Sequence, residues 1–268
     1  MKKNEYTFTV ELSLSAPVNS HSFLLRCVPA ESDTLRVLSE EVTVDPPCSL
    51  FRGTDGFGNV CLTGSLEAMH DRFVYASRGT VLVDQAARRP ASPAEALRYR
   101  FSGRMTEPSA EMEALVRALR PGIAALPAAE AMTAVMEALR ERMEYCPGET
   151  DSHTTAGEAL RKGRGVCQDY ANIYAALCRR LGFSSRYCMG LACLEGSTHA
   201  WAEVLLPDGW HGIDPTRGCL ADDSYVRLAV GRDSADCPAE CGVMRGFAFQ
   251  TQRVYTTVRS LGETAQSG

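Results

Sequence analysis

Three side chains suited to thiol-based acyl transfer occur in the order Cys167, His199, Asp214, each at the end of a patterned segment. Cys167 follows the glycine-rich approach Gly163-Arg164-Gly165-Val166, and an alanine-rich helical pattern begins directly behind it. A cysteine at a helix N-terminus sits at the positive end of the helix dipole, beside N–H groups without an intrahelical partner. That setting favours thiolate over thiol, and the same N–H groups can hold an oxyanion. A small buried residue that opens a helix is the competing reading. A nucleophile needs a base, and the base needs an orienting group. His199 opens HAWAEVLL and Asp214 closes GWHGID, with turn chemistry at Leu206-Pro207-Asp208-Gly209 between them. A hairpin folded there sets Asp214 opposite His199, give or take a residue or two, with Cβ atoms about 5 Å apart. A carboxylate so placed fixes the imidazole tautomer. The same register turns His211 to the other face, as an exposed or edge-strand histidine.

Further residues could shape such a site. Trp201 shares a strand face with His199 and is a candidate wall, with sheet packing as the alternative; Trp210 divides between the same two roles. Gln168 is a candidate donor to substrate. Tyr145 and Tyr170 are candidate cleft or packing residues, and Asp169 reads as a first-turn carboxylate that stabilises its helix. Cys219, Cys237 and Cys241, with His211 nearby, raise the question of zinc. The Cys-x3-Cys spacing lacks a second pair, so they read as plain thiols, and no metal or cofactor is implied.

These residues need elements to position them. Residues 6–14 alternate apolar and polar, the signature of a half-buried strand, and further strands are expected over 22–28, 35–44, 58–63 and 72–83. Turns at Ala16-Pro17, Asp45-Pro46-Pro47 and 55–59 separate them, which predicts a small antiparallel sandwich over 1–105. After Pro108 the spacing becomes helical: one helix stopped by Arg120-Pro121-Gly122, one opened by Pro127, and one capped by Thr155 through Glu158. In the helix behind Cys167, Arg179 and Arg180 suit the negative end and Gly182 the C-cap. Strands are then expected over 184–193, 199–206, 209–214 and 247–259, so residues 106–268 read as α+β, helices followed by an antiparallel sheet.

The stretch from Tyr145 to Thr216 resembles the bacterial transglutaminase-like superfamily. The carrying motifs are 145–150, Thr154-Thr155, Gly165-Val166-Cys167-Gln168-Asp169-Tyr170-Ala171, Arg186-Tyr187, His199-Ala200-Trp201 and Gly209-Trp210 through Asp214-Pro215-Thr216. Pro17-Val18, Ser22 to Pro29 and residues 55–60 resemble the β domain that precedes the core in such proteins. The resemblance implies a papain-like α+β core. It implies Cys167 as nucleophile, His199 as base and Asp214 as orienting carboxylate, acting through a thioester on peptide or glutamine carboxamide bonds. Members include cross-linking enzymes, proteases and deamidases. A cysteine peptidase or amidase is the expected activity, with amine-accepting transglutaminase and a non-catalytic peptide-binding module as alternatives. Asn172 departs from the family, which often carries histidine or a larger residue there.

Composition bounds the rest. The 268 residues, 45% hydrophobic and 23% charged, suit one or two folded domains. A formal charge of −5 without a basic block argues against nucleic-acid partners, and the resemblance implies a peptide or protein substrate. No run approaches the ~20 apolar residues of a membrane-spanning helix. The start, MKKNEYTFTVEL, has no apolar core of a secretory signal. Eleven cysteines then read as reduced thiols, and the expected setting is the cytoplasm. Oligomeric state is not encoded.

Overall fold

A computed structural model describes residues 1–192 and 196–263. Five strands come first: β1 (Lys2–Leu25), β2 (Leu35–Asp45), β3 (Phe51–Thr54), β4 (Val60–Leu66) and β5 (His70–Val83). Five helices follow: α1 (Pro93–Arg98), α2 (Ala110–Ile123), α3 (Ala128–Arg140), α4 (Ala156–Lys162) and α5 (Cys167–Leu181). Two short strands, β6 (Glu144–Tyr145) and β7 (Arg164–Gly165), lie among them. The chain continues through β8 (Ser185–Leu191), β9 (His199–Leu206), β10 (Gly209–Asp214), β11 (Cys219–Leu220), β12 (Val226–Gly231), β13 (Glu240–Arg245) and β14 (Gln250–Glu263).

The long strand β1 is the spine of the N-terminal unit. Its first half pairs with β5 and β14, its second half with β4 and β13, so two sheets share one strand. Alternation does what it predicts: Tyr6, Phe8, Val10 and Leu12 are buried in one core with Phe23, Leu25, Leu62 and Phe73. The expected strands over 6–14 and 22–28 are one element. Ala16-Pro17 is not a turn but the crossover between sheets, where pairing with β5 lapses between Ser13 and Val18. Proline, with no N–H to give, is tolerated where the ladder is broken. The strand expected over 247–259 is also here rather than in the sheet of the second unit. Its alternation specified a half-buried strand but not which sheet it joins.

The second sheet is antiparallel, in the order β11-β10-β9-β8-β12. Ala202, Val204, Leu206 and Ile213 from this sheet share a core with Ile173, Tyr174 and Leu177 of α5 and with α2, α3 and α4. The strand expected over 184–193 is seen over Ser185–Leu191, and position 193 lies outside the described residues. α2 runs through Pro121 and ends at Ile123, two residues beyond the proline. Arg179 does not simply face the negative end of α5. It is buried and donates to the Tyr99, Ser185 and Arg232 carbonyls and to Thr106 Oγ1, binding α5 to its neighbours. No described helix is long and apolar enough to cross a membrane.

Candidate active site

The glycine-rich approach to Cys167 has a local cause. Gly163 closes α4 in the left-handed conformation, at φ 67°, which glycine adopts without strain. Gly165 leaves room for a neighbour: a Cβ there would lie 2.6 Å from Asp169 Oδ2. That carboxylate folds back over its own helix start, accepting from Val166 N at 2.8 Å and Thr150 Oγ1 at 2.6 Å. Burial nevertheless raises the Asp169 carboxyl above its ordinary pKa. With the turn so fixed, the first helical donors to find partners are Asp169 N and Tyr170 N, both on Val166 O. The N–H groups of Cys167 and Gln168 precede them, as the free donors of a helix start do.

The β9–β10 hairpin forms, with pairs from Leu206↔Gly209 to Ala202↔Ile213. This register continues to set Asp214 opposite Trp201, two residues from His199 and, by the strand period of two, on its face. A slip of two residues moves the pairing but keeps the face, so the contact survives as a diagonal one. His199 Nε2 meets Asp214 Oδ2 at 2.6 Å. Asp214 is fully buried and held on both oxygens. Oδ1 accepts from Thr216 N and Arg217 N at 3.0 Å each, and Oδ2 also accepts from the Tyr225 hydroxyl at 2.8 Å. Burial pushes the Asp214 pKa up, but the bond and charge of His199 and the other donors leave it lowered. Burial likewise pulls His199 down. Its bonds to Asp214 and to the Cys167 side chain prevail, and its pKa stands at about 9. With Nε2 engaged by Asp214, Nδ1 is the ring nitrogen left for another partner.

Cys167, His199 and Asp214 are therefore brought together. Cys167 and His199 open on a cleft of about 790 Å³ between the two units, and Gln168 lines it with them. Gln168 Nε2 lies 3.5 Å from the Asp151 carbonyl. Trp201 is not brought to the cleft. It is 2% exposed, stacks 6.5 Å from the His199 ring and meets Tyr225 edge-on at 5.3 Å, a backing rather than a wall. Tyr145 is exposed outside the cleft lining, on a neighbouring surface with Tyr170 and Thr216. Burial and then the charge of Cys167 raise its hydroxyl pKa. Trp210 packs with Tyr99 and donates to Glu95 at 2.8 Å. His211 bonds Asp208 at 2.8 Å. Cys219, Cys237 and Cys241 are dispersed: one is 3.7 Å from the Tyr225 hydroxyl, one is buried, and one is 3.9 Å from Arg26.

Tyr225 was not anticipated. It reaches Asp214 from 11 residues downstream, across a turn that carries no motif. Asn172 is likewise more than a departure: its amide group bonds Ser234 Oγ at 2.9 Å and Ser234 N at 3.0 Å, which anchors a segment lining the cleft.

Residues 113–215 match the Transglutaminase-like superfamily core, and residues 5–82 match the Bacterial transglutaminase-like N-terminal region. The chain belongs to the transglutaminase-like superfamily. This transglutaminase-like chain shares its fold with the crystal structure of a candidate cysteine protease from Cytophaga hutchinsonii. The TM-score is 0.77 at 22% identity, covering 99% of this chain and 92% of that one. An uncharacterized protein of Mycobacterium leprae, ML0607, is 32% identical over 127 residues, which are 44% of this chain and 45% of that protein. The match thus spans under half of ML0607. An uncharacterized protein of Mycobacterium bovis, Mb2599c, is 26% identical over 248 residues, covering 81% of this chain and 79% of that protein.

Proposed function

We propose that this protein is a thiol-dependent acyl-transfer enzyme, a cysteine peptidase or amidase acting on peptide or glutamine carboxamide carbonyls. The observation that carries the reading is His199, bonded to the buried Asp214 carboxylate at 2.6 Å and opening with Cys167 on one cleft. His199 Nδ1 takes the thiol proton, and Cys167 Sγ attacks the carbonyl carbon. The carbonyl π pair moves to oxygen, where the N–H of Cys167 and its helix start receive it; such a donor is worth about 3–4 kcal/mol. The tetrahedral adduct collapses, the C–N bond breaks, and the His199 imidazolium protonates the departing amine or ammonia. A thioester remains. His199 then deprotonates water, which attacks the thioester; acid leaves and the thiol is restored. An amine in place of water gives transamidation.

The test is a glutamine-containing peptide incubated with wild type and Cys167→Ala, with and without a primary amine. Cys167-dependent ammonia release or cleavage that amine leaves unchanged is the expected result. An amine adduct assigns transamidation instead. Turnover by Cys167→Ala refutes the mechanism, and no turnover by wild type favours a binding module.

A further inference from the structure

We propose that the outer edge of β13 is a docking strand: an extended polypeptide substrate adds to it by β-pairing, which lays its carbonyls along the cleft that holds Cys167. This rests on the acyl-transfer reading of that cleft and names its substrate class. Among the described residues, β13 pairs with β1 alone. Which of its main-chain groups face β1 follows from one bond, Arg26 N to Ala239 O at 2.8 Å between opposed residues. Hydrogen-bonded pairs alternate in an antiparallel ladder. Cys241 and Val243, opposite Leu24 and Ser22, therefore turn their N–H and C=O to β1. Glu240 and Gly242 turn theirs outward, and no described residue accepts from these N–H groups. Both residues line the cleft with Cys167 and His199.

The strand is also bare at its centre. A Cβ on Gly242 would lie 3.0 Å from His21 Nε2 and 3.1 Å from Ser22 O, so the packing beneath keeps glycine there. A glycine in a strand lets another backbone approach closely. Natural sheets shorten, charge or cover their edges because an open one recruits a strand. The occupant this edge fits is a polypeptide in extended form, whose amides repeat at the same period and whose carbonyl the thiol must reach. Just beyond β13, Phe247 and Phe249 stand exposed with rings 5.9 Å apart, offering apolar contact to flanking side chains.

The probe is β-casein, an unfolded polypeptide, added to the full-length Cys167→Ala protein while amide exchange is followed by NMR. The Glu240 and Gly242 amides should exchange fast in the free protein and slow by roughly tenfold or more with β-casein. The Cys241 and Val243 amides, bonded to β1, should not change. Casein that binds without protecting the edge, or fails to bind, overturns the docking strand. So does protection already present in the free protein that grows with its concentration, which assigns the edge to a second copy of the chain. Acylation of wild-type Cys167 by p-nitrophenyl acetate reads the chemistry separately. Acylation without edge protection sinks the docking strand and leaves the enzyme; protection without acylation upholds the docking strand and sinks the enzyme.

Discussion

Replacing Asp214 by asparagine would keep the shape of the site and reverse one hydrogen bond. The side-chain oxygen still accepts from Thr216 N and Arg217 N, which fixes the orientation of the new amide. Its NH2 group then stands where Oδ2 now accepts from His199 Nε2 and the Tyr225 hydroxyl. An NH2 group donates, so His199 Nε2 must accept, and the ring proton moves to Nδ1. An Nδ1–H facing Cys167 cannot take the thiol proton. The carboxylate charge is lost as well, and it is a principal force holding His199 at about 9 against burial. At 1.36 kcal/mol per pH unit, a rise from 6.5 to about 9 is worth about 3 kcal/mol. That alone is a factor of roughly 10² in rate. The same exchange in a serine protease triad costs about 10⁴ through the wrong tautomer. Asp214→Asn should therefore lower kcat/KM for peptide hydrolysis at neutral pH by roughly 10² to 10⁴. The assay is chromatographic cleavage of one peptide by both proteins, with nitrogen-resolved NMR of His199 to read the tautomer and a melting curve to confirm folding. A folded variant that loses less than roughly tenfold would refute the assigned role of Asp214.

Cys167→Ala should abolish turnover, keep the circular dichroism spectrum and let His199 titrate at lower pH by NMR, since the bond and charge of the sulfur are gone. Tyr225→Phe removes one donor from Asp214, and a hydrogen bond to a charged group is worth about 1.5–3 kcal/mol, so kcat should fall roughly tenfold or more in the peptide assay. Trp201→Ala opens a cavity among Cys188, Tyr225 and Val230 and should cost about 3–5 kcal/mol by denaturant titration; an unchanged midpoint contradicts the packing role. His199 is raised in the folded state, so the stability it contributes is complete below 6.5 and is lost as pH rises through about 9, as is its capacity to protonate a leaving amine. A kcat profile that keeps climbing above that pH would contradict this assignment.

The convergence of Cys167, His199 and Asp214 was legible because each residue sits where local rules apply. Cys167 is marked by a helix start, and the hairpin turn at Pro207-Asp208 sets the face, if not the partner, of Asp214. Face is robust to a slip of two residues because strand side chains repeat with period two. What was hidden depends on long-range pairing. The alternation of β1 specified burial but not that one strand serves two sheets, and β14 carried no mark of joining the distant N-terminal strand β1. Trp201 shows the same limit. Its place on the His199 face was readable, but not that Tyr225 and the sheet would close over it.

The relative reactivity of the thiols tests the proposed role of Cys167 most directly. Iodoacetamide at about pH 6 should be given in limiting amount and its sites read by peptide mass mapping. Cys167, only partly exposed, should be alkylated before the more exposed Cys219 and Cys241, and Asp214→Asn should slow it. Alkylation of Cys219 and Cys241 ahead of Cys167 would contradict a nucleophile prepared by His199.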